Sequence, residues 1–354
     1  METGDTVPRL SHTFDITPVA REVVGETVAA AYEVARSCRF DGRGWLLTPD
    51  EATRDRLDEH AESLGLVDRE ALREARRERR EAAERLRNAT GLDAEEAETL
   101  RVRSSVLALQ LQSGHHLAPR THYHLAELTA EGVPLEPVYA DQGWSGTGVT
   151  LLSWDEHGTS RVEYAMPDTV GSDEPPVTSG TVTHDAAAGL LTATASIRLP
   201  GRGAWLRSAE GSLTVDTHAW YAALEGTGDA GAAPPARLEA AHRLVDITAW
   251  LSPSLTPDGR WTVEAVLDAR GRGPFRPFMA MVFWALRTSF RREEKAAAGH
   301  PDRPTPRRQL AEAVRAWDRV AANAPRLPDY LREVAKALAA ARPKPSGGYP
   351  PHTP

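Results

Sequence analysis

Between residues 147 and 270 apolar and polar side chains alternate nearly one for one, and this constrains the chain more than any other feature. Leu191, Ala193, Ala195, Ile197 and Leu199 alternate with Thr192, Thr194, Ser196 and Arg198. Trp261, Val263, Ala265, Leu267 and Ala269 alternate with Thr262, Glu264 and Asp268. Val245, Ile247, Ala249 and Leu251 form a third set, and Val162, Tyr164 and Met166 a shorter one. Successive side chains of a strand point to opposite faces, so a period of two gathers the apolar groups on one face. Turn sequences separate the runs: Asp155-Glu156-His157-Gly158, Pro200-Gly201-Arg202-Gly203 and Thr256-Pro257-Asp258-Gly259. The pattern predicts an antiparallel β-meander of about seven strands, apolar on one face and polar on the other. Such a face needs a cover.

The segment from Pro274 to Lys295 reads as that cover. Phe275, Phe278, Met281, Phe283, Trp284, Leu286 and Phe290 make it apolar nearly all round, as a long closing helix buried on most sides would be. The first third has a helical texture. Thr17-Pro18, Thr48-Pro49-Asp50-Glu51, Asp68 and Asp93 with Glu96 are helix-start signals, and residues 17–112 read as four helices. Thr305-Pro306 starts a helix to about Asn323, and Pro328 a last one to about Ala341. The expected fold class is α+β. A helical N-terminal region spans 1–140, an antiparallel β domain with its closing helix 141–300, and a C-terminal helical pair 301–341. Residues 342–354, rich in Pro and Gly, are expected to be a disordered tail.

Composition removes several classes. One cysteine, Cys38, excludes an internal disulfide and any multi-cysteine metal site. A net charge of −8 argues against general nucleic-acid binding. No apolar run is long enough for a transmembrane helix, and Met1–Asp5 lacks the pattern of a secretory signal, so a cytoplasmic location is expected. Charge is uneven along the chain. Between Arg270 and Arg308 ten basic residues face three acids, and Arg287, Arg291 and Arg292 are candidates for a protein-partner face. With arginines flanking an apolar helix, a membrane surface is a lesser alternative.

Few constellations carry chemistry. His115, His116, His122 and His124 cluster in sequence, and His122-Tyr123-His124 would set two imidazoles on one face of an extended segment, as a metal site requires. No second motif supplies further ligands. Gly226-Thr227-Gly228-Asp229-Ala230-Gly231 is a literal dinucleotide fingerprint without the strand–helix context that gives it function. Gly143-Trp144-Ser145-Gly146 is not a nucleophile elbow, and a lone Cys38 fits a small buried hydrophobe better than a nucleophile. No catalytic residue, metal ligand or cofactor is therefore assigned.

Asp258-Gly259-Arg260-Trp261-Thr262-Val263, then Arg270-Gly271-Arg272-Gly273-Pro274-Phe275-Arg276-Pro277-Phe278, then the helix to Lys295, resemble the last strand, turn and helix of the START/Bet v1-like superfamily of helix-grip proteins, which includes polyketide cyclases and lipid carriers. The resemblance implies a curved sheet gripping the helix, with a cavity for an apolar ligand between them. It also implies that Ser11–Ile16 is the first strand. The leading functional expectation is binding of a small apolar ligand in a sheet–helix cavity, as a carrier or cyclase-like protein. Face and position make Tyr164, Trp261, Phe278 and Phe283 the candidate lining. A non-catalytic interaction protein using charged helices is the alternative, and a metalloenzyme using His122 and His124 a further one.

Overall fold

The computed structural model describes residues 9–88, 91–128, 147–167, 177–198, 208–228, 231–272 and 306–343. The chain is α+β. Its strands are β1 (Arg9–Ile16), β2 (Val106–Ser113), β3 (Thr121–Leu128), β4 (Thr147–Ser153), β5 (Thr159–Pro167), β6 (Val177–Asp185), β7 (Leu190–Arg198), β8 (Ser208–Asp216), β9 (Ala236–His242), β10 (Val245–Leu255) and β11 (Trp261–Gly271). They form one sheet in the order β1-β11-β10-β9-β8-β7-β6-β5-β4-β3-β2. From β2 to β11 the order follows the sequence, and β1 alone pairs with a strand far along the chain. The helices are α1 (Arg21–Ser37), α2 (Glu51–Ser63), α3 (Arg69–Asn88), α4 (Ala94–Ser104), α5 (Thr217–Glu225), α6 (Pro306–Asn323) and α7 (Leu327–Ala340).

The chain divides into two compact units, Met1–Val19 with Leu152–Ala322, and Ala20–Leu151 with Asn323–Pro354. In the first unit the ladders put every apolar set on the same face. Phe14 lies opposite Val263, Val263 opposite Pro253, Ile247 opposite Ala240, Leu238 opposite Leu213, Leu213 opposite Ala193, Ala193 opposite Val182, and Val182 opposite Val162. The other face carries Asp15, Thr262, Glu239, Ser212, Thr194 and Thr181 at the alternate positions. Helix α5 closes one end of the apolar face. Asp216 caps it by accepting from the Ala219 N–H at 2.8 Å, and Gly226 ends it at φ +68°. Its Trp220 and Tyr221 pack edge-on against Trp261 at 5.9 and 5.8 Å. Helix α6 is tied to the same end. The Trp317 indole donates to the Thr17 carbonyl at 2.8 Å, and the Thr17 N–H donates to Asp318 at 2.7 Å.

In the second unit α1 packs on α7, and α3 on α4. The start signals act as read for α3 and α4, where Asp68 and Asp93 accept from backbone N–H groups of the first turn, whereas α2 begins two residues later than its Thr48-Pro49 signal, at Glu51, with Asp50 as the cap. The Thr17-Pro18 signal does not start α1, which begins at Arg21 without a side-chain cap. Thr17 is engaged instead by α6 in its own unit.

Three expectations change. The count of about seven strands is too low, since the sheet has eleven. Eight lie between residues 147 and 271, and β1, β2 and β3 lie outside that window. The helix expected from Asp93 to Leu111 stops at Ser104. Leu107, Leu109 and Leu111 alternate with Ala108 and Gln110 on β2, and the apparent helical spacing came from joining two elements. Helix α5 interrupts the stretch of 147–270, where only strands and turns are expected. The closing helix of 274–295, with Phe278, Phe283, Arg287, Arg291 and Arg292, lies outside the described residues, as does the tail from residue 344. No helix among the described residues is long and apolar enough to cross a membrane.

Candidate functional site

Two places collect the chemistry-bearing side chains, one in each unit. In the first it is the apolar face of the sheet. A core face in a folded domain hides its large side chains, whereas here several stay accessible. Leu213 is 39% exposed, its cross-strand neighbour Leu238 44%, and Leu255 57%. Met166, Leu191 and Ile197 on the same face are also exposed. Trp261 and Val263, beneath α5 and beside β1, are buried. The face is therefore closed under α5 at Trp261 and Val263, and open over β5–β9 and at the Leu255 end of β10. Contiguous apolar exposure of this kind marks a binding surface more often than scattered single residues do.

Tyr164 sits on the open part. Its hydroxyl donates to the Thr194 carbonyl at 3.1 Å, and it lies across Gly180, where a Cβ would come within 2.8 Å of the phenol oxygen. Gly180 lets the ring lie down over β6 and present its edge to the surface. Trp261, the second expected lining residue, is instead buried against Trp220 and Tyr221. Phe278 and Phe283 lie outside the described residues. Sequence reasoning missed the contribution of Trp220 and Tyr221. The signal was present in Asp216-Thr217 and Gly226, a cap and a stop bracketing nine residues of helix.

The polar face of the same sheet holds a shallow depression of about 470 Å³ beneath Glu210 and Glu239. Glu239 is paired there with Arg237. Hydroxyls of Ser179, Thr194, Ser196 and Ser212 surround it.

No family model, curated protein or solved structure matches this chain.

In the second unit the histidines separate into two roles. His116 Nε2 reaches the Ala35 carbonyl at 2.8 Å, so that nitrogen carries the hydrogen, and Nδ1 at 2.9 Å accepts from the Tyr123 hydroxyl. The Tyr123 oxygen in turn accepts from the Leu117 N–H at 2.9 Å. Phe40 packs on both rings. Every polar atom in this chain of bonds has a partner, which describes a structural network. His122 and His124 do share one face of β3, as the spacing requires. His122 Nδ1 bonds the Thr150 hydroxyl at 3.0 Å, and His124 Nε2 is buried with no hydrogen-bond partner. Burial first, and the neighbouring His122 second, hold His124 below the usual imidazole range. Among the described residues no group of three or more metal-ligating side chains converges here or elsewhere. Cys38 is half-buried with its sulfur against the Val34 carbonyl, and burial pushes its thiol up, away from thiolate chemistry.

Proposed function

We propose that the chain binds a small apolar ligand on the apolar sheet face of its first unit, as a carrier or cyclase-like protein. The observation that supports this is the exposure of Met166, Leu191, Ile197, Leu213 and Leu238 on a face whose far end is closed by α5. Each buried Å² of apolar area contributes roughly 25 cal/mol, so a ligand spanning the Leu213–Leu238 pair and Tyr164 gains most of its affinity from desolvation. The phenol of Tyr164 lies on that face, placed to orient an oxygen on an otherwise apolar molecule. Phe278 and Phe283 stay candidate lining residues in this reading on the sequence alone. The START/Bet v1-like likeness of Asp258–Val263 is consistent with it.

Native mass spectrometry of the freshly purified, untagged chain tests the proposal. An adduct that is lost on denaturation is expected, and a Leu213→Glu/Leu238→Glu variant should carry much less of it. A bare chain mass that also takes up no added long-chain fatty acid overturns the proposal in favour of the interaction protein.

A further inference from the structure

The sheet ends at β1, whose inner side is bonded to β11 and beyond whose outer side no strand lies among the described residues. The opposite end differs. There β2 exchanges bonds with the Gly44–Leu46 segment, the Leu46 N–H donating to the Leu109 carbonyl and the Leu111 N–H to the Gly44 carbonyl. A strand edge left open presents a row of backbone donors and acceptors that another strand can complete. The side chains of β1 offer little resistance, since Ser11, His12 and Thr13 are exposed and none is proline or lysine.

The sequence of β1 is complementary to its own reverse. Set two copies antiparallel about His12, and Arg9 falls opposite Asp15, Leu10 opposite Phe14, and Ser11 opposite Thr13. Leu10, His12 and Phe14 belong to the apolar face, and Arg9, Ser11, Thr13 and Asp15 to the polar one. Reversal about His12 therefore keeps apolar opposite apolar and pairs both charges with their opposites. A shift of one residue would set Leu10 against Asp15 across the two faces. A shift of two would leave neither charge facing its opposite. Arg9 and Asp15 are exposed on the polar face, the first reaching over β11 to stack on Trp250 and the second accepting from the Thr262 hydroxyl, so each turns outward from a contact with its own sheet when it meets the partner's charge.

We propose that the outer edge of β1 is a self-association surface whose partner is a second copy of this chain, paired strand to strand about a two-fold axis at His12. The contact is isologous, so it closes at two copies and does not propagate. It also makes the two apolar faces continuous across the junction.

Sedimentation velocity of the full chain over a micromolar concentration series tests this. The expected species has twice the 38.5 kDa chain mass. Asp15→Arg should leave a monomer, and the exchanged pair Arg9→Asp/Asp15→Arg should restore the dimer. Cross-linking fixes the register independently of those charges. In a Cys38→Ala background, His12→Cys should form an intermolecular disulfide under mild oxidation, and Ser11→Cys, which faces Thr13 of the other copy, should not. A chain that stays monomeric throughout, a dimer indifferent to Asp15→Arg, or a His12→Cys variant that does not cross-link overturns the proposal.

Discussion

Gly180 shows how one missing methyl group shapes the apolar face. A Cβ there would lie 1.8 Å from the Thr194 carbonyl and 2.8 Å from the Tyr164 hydroxyl, so backbone and ring would both have to move. Gly211, two strands along on the same face, would meet only the Glu239 carbonyl at 3.3 Å. Gly180→Ala is therefore expected to lower stability by about 1–3 kcal/mol, and Gly211→Ala by clearly less, in chemical denaturation of the two variants. Equal effects would remove the argument that Tyr164 needs a bare β6 beneath it. His124 makes a prediction of the opposite kind, in pH. Its folded value is held below 6.5, so the unfolded chain takes the proton first as the solution is acidified. Stability is unaffected by this group above its unfolded value. It falls as pH drops from there towards the folded value, and levels off below it. His124→Gln should flatten that part of the stability–pH curve. A variant curve parallel to that of the unmodified chain would show that His124 does not titrate differently in the two states.

Helix α6 is tied to the residue after β1 through Trp317 and Asp318. Burial works to raise the Asp318 carboxyl, but the Thr17 N–H and Arg260 outweigh it and hold the group below the usual carboxylate range. A depressed acid contributes its stabilisation above the unfolded value, and loses it as pH falls through the folded one. Asp318 is about a third exposed, so Asp318→Asn should cost only about 1 kcal/mol at pH 7. The gap between variant and unmodified chain should narrow as pH falls below the ordinary carboxylate value, and close only below the depressed folded one. Denaturation midpoints at pH 7 and pH 3 check it, and a gap undiminished at pH 3 would mean that the shape of the side chain matters, and not its charge. Elements differed in how far the sequence announced them. Asp50, Asp68 and Asp93 cap their helices locally, with bonds spanning two or three residues, so their signals needed no tertiary knowledge. The alternation in β7, β10 and β11 was equally plain, because each has one side apolar along its length. β3 was hidden since Thr121, His122 and His124 lend it a loop-like composition, and its register is set by β2 and β4 rather than by its own residues. Of the candidate site, the apolar face and Tyr164 could be read directly. That Trp261 would be consumed by α5 could not, because that depends on a helix whose two aromatics meet it only after the sheet has formed.

At the scale of the molecule, the strand order places almost every strand beside its chain neighbour, with one exception. The ladder from β2 to β11 can grow strand by strand, each step joining neighbours in the chain at a smaller entropic cost than β1 must meet. β1 pairs with β11, and Phe14 must wait for Val263. At synthesis rates of about 5–20 residues per second, the partner emerges from the ribosome roughly ten to fifty seconds later. During that interval β1 has two open sides instead of one. Two nascent chains on neighbouring ribosomes would then hold the same self-complementary segment within reach of each other. The order in which the chain is made thus gives its first strand an opportunity to meet a sister strand before its own sheet exists, and β11, arriving last, takes the side that remains.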